Sequence, residues 1–193
     1  MRLSLANLAI AALGLAACGA APAKPLVISA LSKAAPMKLS CPAIGAGGKL
    51  AAKYSASGDN ISPPMSWQPV KVAKDYAVIV EDPDSHGATP FVHWLIWNIP
   101  ASRRSLPPGL ADAQRLGDPK GAIQGANGRG RPGWTGPSPP AGDPPHHYHF
   151  EVFALRAPLA IPADSPVASV AAALKGDVLA ASQCVGIFQT PAA

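Results

Sequence analysis

Apolar residues fall in short blocks along this chain, and turn-forming residues separate them. The sharpest block pair is Tyr76 to Pro100, YAVIVEDPDSHGATPFVHWLIWNIP. Tyr76-Ala77-Val78-Ile79-Val80 is a continuous apolar run, the pattern of a strand buried on both faces. Asp82-Pro83-Asp84 ends it, because Pro83 has no N–H for a ladder and Asp forms turns. Apolar residues resume at Val92 and run to Asn98-Ile99-Pro100 as a second strand. A period of two places His93, Leu95, Trp97 and Ile99 on one face of that strand. His93 then stands at a strand mouth above an apolar layer, close along the chain to two carboxylates. The same residues also fit a plainer arrangement, with Asp82 and Asp84 capping the turn and His93 a satisfied core histidine.

The remaining pattern is mostly β. A strand is expected over Met37 to Cys41, Gly-rich turns over Gly45 to Gly48, and a turn-rich entry from Asp59 into a strand carrying Trp67. Residues 103–145 are dominated by Gly, Pro, Asp and Asn, with one short turn of helix expected near Leu110 to Leu116. Loops of that length inside a domain are functional or disordered as a rule. The half from Gly125 to Gly142 reads as an ordered loop, since Pro fixes φ and Gly allows close backbone approach, so its N–H groups can face an anion. A solvated linker is the alternative. HHYHFEVFAL, residues 146–155, reads as a strand with His146, Tyr148, Phe150, Val152 and Ala154 on the core face. His147, His149 and Glu151 fall on the other face, toward solvent or a second sheet edge. Ser165-Pro166 opens a helix as N-cap and first position, with Val167, Val170, Ala171, Leu174 and Val178 at helical spacing and Gly176 a break. Val185 to Phe188 adds a last strand. No internal repeat occurs.

The chain start changes the compartment. Arg2 precedes an apolar run from Leu3 to Ala17, the charge pattern and length of a secretory signal. Leu15-Ala16-Ala17-Cys18 resembles the lipobox of bacterial lipoproteins, which implies cleavage before Cys18 and lipidation of its sulfur and new amino group. An ordinary secreted protein cut nearby is the alternative. Residues 1–17 are thus expected to be a signal peptide and 18–36 a lipidated Cys and flexible tether, with one domain over 37–193. Gly19 stands in place of the Asp that commonly retains lipoproteins at the inner membrane. The expected location is therefore the cell envelope, on the periplasm-facing outer membrane. Without Arg2 the mature chain carries 15 Lys and Arg against 11 acids, a net charge of +4. These charges are spread thinly, without basic runs or interleaved aromatics, so nucleic acid is not expected as a partner. With Cys18 lipidated, Cys41 and Cys184 remain in an oxidising compartment, and a disulfide between them is the working hypothesis. Their spacing argues against a structural zinc site, and no metal or cofactor is expected.

Taken together, several motifs resemble the phosphatidylethanolamine-binding protein family, in its bacterial Raf-kinase-inhibitor-like branch. They are Ser62-Pro63-Pro64-Met65-Ser66-Trp67, Asp82-Pro83-Asp84, His93-Trp94, Asn98-Ile99-Pro100, Gly125-x-Asn127, Gly136-Pro137-x-Pro139-Pro140-x-Gly142 and His146-x-Tyr148-x-Phe150. They run in family order from about Ser40 to Ile187. The resemblance implies an all-β core of two antiparallel sheets with a few short peripheral helices, and a small pocket for a phosphate-type or carboxylate anion. By motif position the pocket lining is Asp82, His93, His146, Tyr148 and backbone near Pro139 and Pro140, supported by Asp84, Trp94 and Gly136. His93 and His146 are expected to donate to anion oxygens, with Tyr148 adding a third donor and Asp82 orienting a histidine and favouring its cationic form. There are departures: Ser85-His86 replaces the family's Ala-Pro after Asp84, His147 stands where Arg is usual, and two bacterial Cys positions are absent, one of them at Ser138.

The function expected is non-enzymatic binding of a small anion or phospholipid head group at a membrane, through a lipid anchor. Two other classes compete. A metal-dependent hydrolase could use the His/His/Asp cluster, although no HExxH spacing or GxSxG elbow occurs. A periplasmic protease inhibitor or protein-interaction module could act through the long Pro/Gly loop.

Overall fold

The computed structural model describes residues 24–31 and 34–192. The signal segment 1–17 and Cys18 lie outside those residues. Among the described residues eight strands form: β1 Leu39–Ser40, β2 Met65–Trp67, β3 Asp75–Asp82, β4 Phe91–Pro100, β5 Ser105–Leu106, β6 Ile123–Gln124, β7 His146–Leu155 and β8 Val178–Phe188. They make a three-stranded sheet, β1-β2-β5, and a five-stranded sheet, β6-β4-β3-β7-β8. Every pairing within the sheets is antiparallel. Among the described residues one α-helix, α1 Val167–Leu174, lies outside the sheets.

β3 is the middle of the large sheet, and all eight of its residues are buried. Tyr76, Val78 and Val80 pack with Met65, Trp67 and Leu106 of the small sheet, while Ala77 and Ile79 pack on the opposite side with Val170 and Leu174 of α1. Two covered faces explain the unbroken apolar run, and each large side chain so buried contributes about 1.5–3 kcal/mol.

β4 departs from a simple period of two. Val80 pairs with Trp94 but Glu81 pairs with Val92, so His93 is an extra residue in the ladder. A second shift lies where Tyr76 pairs with Ile99 and Val78 with Ile96, next to Asn98 with φ 57°. Leu95 and Trp97 therefore face the α1 side, whereas Trp94, Ile96 and Ile99 face the small sheet. His93 does not share a face with Leu95 and Trp97 as periodicity predicts. The bulge turns it to the small-sheet side, where its ring lies 5.0 Å from that of Tyr148.

β7 alternates as expected over Tyr148, Phe150, Val152 and Ala154, with His147 exposed and His149 half-buried. Glu151 departs from the expectation: it is fully buried. The cause is the segment that covers it. Val27 N–H donates to Glu81 Oε2 at 2.9 Å and Ile28 N–H to Glu151 Oε2 at 3.2 Å. Val27, Ile28, Leu31 and Ala34 pack on the α1-side cluster. These residues fall in the stretch 18–36 expected as a tether, so in its described part the tether is instead chain seated on the large sheet.

Three smaller corrections follow from tertiary contacts. No helix forms at Leu110 to Leu116, because the carbonyls of Ala111 and Ala113 accept from Gln124 Nε2, at 2.8 Å each. Pro166, not Ser165, occupies the N-cap of α1, and Gly176, with φ 89°, follows its C-terminus. Val178 belongs to β8, which starts seven residues before the expected Val185 because it pairs along the whole of β7. Cys41 and Cys184 are joined as a disulfide across 143 residues, linking the end of β1 to β8.

Candidate functional site

A pocket of about 190 Å³ opens where β3 ends and β4 and β7 begin. Asp82, His93, His146, Tyr148, Pro139, Pro140 and Gly136 all line it. Asp84 and Trp94 are not among its lining residues. Trp94 is in the core, its indole N–H on Gln124 Oε1 at 2.7 Å. Burial acts to raise the Asp84 pKa, but hydrogen bonds from the ring and backbone of exposed His147 outweigh it and hold the carboxyl below its ordinary value. A wider hollow of about 300 Å³ beside β8, lined by Lys49, Pro145 and Phe188 among others, has one charged side chain and no convergent acid or imidazole. Chemistry, not size, selects the smaller pocket.

Asp82 closes the turn that the sequence places after β3. Its Oδ1 accepts from the backbone N–H groups of Asp84 and Ser85, at 2.8 and 3.1 Å. Its Oδ2 lies 2.9 Å from His146 Nδ1, so the carboxylate orients that imidazole. His146 Nε2 in turn lies 3.3 Å from Asp143 Oδ2.

His93 is 4% exposed. Its Nδ1 donates to the Thr135 carbonyl at 2.6 Å, while Thr135 N–H donates to the His93 carbonyl at 2.9 Å. Burial pushes its pKa down to about 4, against the raising effects of the Thr135 carbonyl and Asp82. With the hydrogen spent on Thr135, Nε2 carries a lone pair, and it has no partner among the described residues. His93 is thus placed as an acceptor rather than the donor that the resemblance implied. Tyr148 is the opposite case. Burial, then the charges of Asp82 and Asp84, push its pKa up, so its O–H remains a donor.

The long loop reaches the site as ordered chain. Trp134 is buried and donates its indole N–H to the Tyr54 carbonyl at 3.0 Å. Gly136 N–H donates to Asn60 Oδ1 at 2.8 Å, and Ala56 N–H to the Pro137 carbonyl at 2.9 Å. A Cβ at Gly136 would lie 2.4 Å from the Tyr54 carbonyl oxygen, so only glycine fits there. Asn127 Oδ1 accepts from Arg129 N–H at 2.9 Å, and Arg129 Nε donates to Thr135 Oγ1 at 3.1 Å. Arg129, Ser85, His86, Phe91 and Ser138 line the pocket without having been singled out as ligands. Phe91 could have been found by its spacing, two residues before His93. Arg129 could not, because a basic residue in a Gly-rich loop points nowhere until the loop is seated.

Comparison with known proteins identifies the family and the fold. The family model for phosphatidylethanolamine-binding protein matches residues 40–189. The chain belongs to the phosphatidylethanolamine-binding protein family. It is 36% identical over 154 residues to a UPF0098 protein of Methanothermobacter thermautotrophicus, covering 79% of this chain and 99% of that one. It is 40% identical over 141 residues to the UPF0098 protein YbcL of Escherichia coli, 72% of this chain and 74% of the other. The candidate lipoprotein LppC of Mycobacterium tuberculosis is 31% identical over 156 residues, 81% of this chain and 74% of that protein. The crystal structure of E. coli YbcL, described as a member of the mammalian PEBP family, superposes with a TM-score of 0.72 and 33% identity. That match covers 81% of this chain and 99% of that structure.

Proposed function

We propose that the pocket binds a small oxyanion, a phosphate-type or carboxylate group, without catalysing its reaction. The observation that carries this reading is the pairing of fixed donors with one buried acceptor in a pocket of about 190 Å³. Arg129 supplies positive charge, Tyr148 supplies an O–H, and the mouth is walled by Phe91, Pro139 and Pro140. The bare Nε2 of His93 favours an anion that keeps one proton, such as a monoprotonated phosphate monoester, because P–OH can donate to it. A phospholipid head group carries the same chemistry. The Asp82 carboxylate is already committed to two backbone N–H groups and His146, which favours binding over base catalysis.

The location we infer is the cell envelope, with a lipid on Cys18 and the domain in the periplasm at the outer membrane. Leu15-Ala16-Ala17-Cys18 supports it, as does the naming of the mycobacterial relatives as candidate lipoproteins.

Calorimetric titration of the purified full chain with phosphate and phosphoethanolamine, at pH 6 and pH 8, tests the binding reading. Heat with both ligands is expected, with tighter binding at pH 6, where a larger share of each ligand carries an additional P–OH proton. Tyr148→Phe should weaken binding roughly tenfold, the loss of one hydrogen bond to a charged group. No heat at either pH would overturn the reading and turn attention to protein partners of the Pro/Gly loop.

A further inference from the structure

The pocket mouth carries a second cluster that anion binding leaves unused. His86 sits in the turn between β3 and β4, Asp143 in the turn that leads into β7, and His146 is the first residue of β7. Asp143 Oδ2 lies 2.9 Å from His86 Nε2 and 3.3 Å from His146 Nε2. Donor atoms of the three residues all fall within 4.8 Å of one another.

The far side of the His146 ring decides what can sit between them. Its Nδ1 faces Asp82 Oδ2 at 2.9 Å, and an ionised carboxylate can only accept. Nδ1 therefore carries a hydrogen, and Nε2 of the neutral ring carries a lone pair. That lone pair meets Asp143 Oδ2, another lone-pair atom, 3.3 Å away. Two acceptors so placed repel unless a cation lies between them, either a proton on Nε2 or a metal ion. A proton bridges two atoms. His86 converges on the same oxygen at 2.9 Å, a contact that a hydrogen bond alone can satisfy, but a metal ion can bridge all three groups at once.

The donor set fits a particular class of ion. Two imidazoles and one carboxylate, with a position left open, suit zinc and its first-row neighbours rather than calcium or magnesium, which take oxygen ligands. A histidine that binds metal through one nitrogen commonly donates the other N–H to a carboxylate, as His146 does to Asp82, which holds the ring and raises its basicity. Metal–donor distances of about 2.0–2.2 Å in a tetrahedron put the donors roughly 3.4 Å apart. The present spread closes by a small swing of His86, whose side chain is 72% exposed.

We propose that His86, Asp143 and His146 form a binding site for a divalent transition-metal ion of zinc-like chemistry, with its open position toward the pocket. The site needs His86, one of the two residues that depart from the family's turn motif. It stands whether or not the pocket binds phosphate.

The test uses the full chain, stripped with EDTA and titrated with Zn²⁺ against a chromophoric chelator, and separately with Co²⁺ read by visible absorption. One equivalent of Zn²⁺ and a Co²⁺ band of a four- or five-coordinate site are expected. His86→Ala and Asp143→Asn, both on turns, should each weaken Zn²⁺ roughly tenfold or more. His147→Ala combined with His149→Ala removes the neighbouring imidazoles and should leave the affinity unchanged. No Zn²⁺ binding, binding that survives both single variants, or binding lost only in the double variant would overturn the proposal. Calorimetry with phosphate on the EDTA-treated protein reads the anion site by itself, so the two failures are distinguishable.

Discussion

His93 takes its chemistry from what each ring nitrogen is given. Nδ1–H is spent on the Thr135 carbonyl and Nε2 is left bare, while the ring centroids of Phe91 and Tyr148 lie 4.8 and 5.0 Å from that of His93. Charging this ring would bury a cation away from water, which is why its pKa falls to about 4. In long-range ¹H–¹⁵N spectra one histidine should therefore show a protonated Nδ1 and a bare Nε2 that does not titrate between pH 5 and pH 8. Loss of that signal in His93→Gln would assign it. A His93 resonance that titrates near the ordinary 6.5 would place the ring in contact with water and remove the buried acceptor.

At the scale of elements, the β4 bulge and the loop ahead of β7 build the pocket between them. The bulge turns His93 toward the loop, and Thr135 holds it there with two hydrogen bonds. The loop is held in turn by Trp134 and Gly136 against the backbone of Tyr54 to Ala56. Gly136→Ala pushes a methyl group into that backbone, where no flexible side chain can yield. The variant should lose about 1–3 kcal/mol in urea unfolding, the usual range for overpacking, and bind phosphate more weakly. An alanine variant as stable as the parent would mean that the loop is not seated there.

Across the whole molecule, buried carboxyls set the response to pH. Burial pushes Asp75 up to about 7, and burial with the neighbouring Glu81 charge pushes Glu151 up to about 9. Glu81 is raised as well, by burial, against the lowering hydrogen bond from Val27. Their ordinary values are 3.8 for Asp and 4.5 for Glu, so between those values and the raised ones the folded state holds more protons than the unfolded chain. Stability then falls as pH rises through that window. His93 acts with the opposite sign, since its lowered pKa makes stability fall as pH drops from 6.5 toward about 4. Between pH 6.5 and pH 9 the raised carboxyls dominate, and urea midpoints should decline toward pH 9. Glu151→Gln keeps an oxygen for the Ile28 N–H and removes the ionising proton. It should flatten that decline and add on the order of 2 kcal/mol at pH 8. An unchanged slope would mean that Glu151 is not the responsible group.

The strands with the strongest patterns were legible from residues alone. The apolar run of β3 announces two covered faces, and the alternation along β7 puts Tyr148 and Phe150 inward, because side-chain direction in a regular strand depends only on local backbone geometry. Motif order placed the pocket residues together on the strength of resemblance. What residues in sequence could not reveal is whatever depends on a partner far along the chain. The true face of His93 follows from a bulge against β3, and the burial of Glu151 from a segment more than a hundred residues earlier. Arg129 reaches the pocket only once Thr135 is seated, and His86 meets Asp143 only when two separate turns converge. Local patterns determine which way a regular strand faces. Contacts between distant segments decide where regularity breaks, which charges lose their water, and which imidazoles come together.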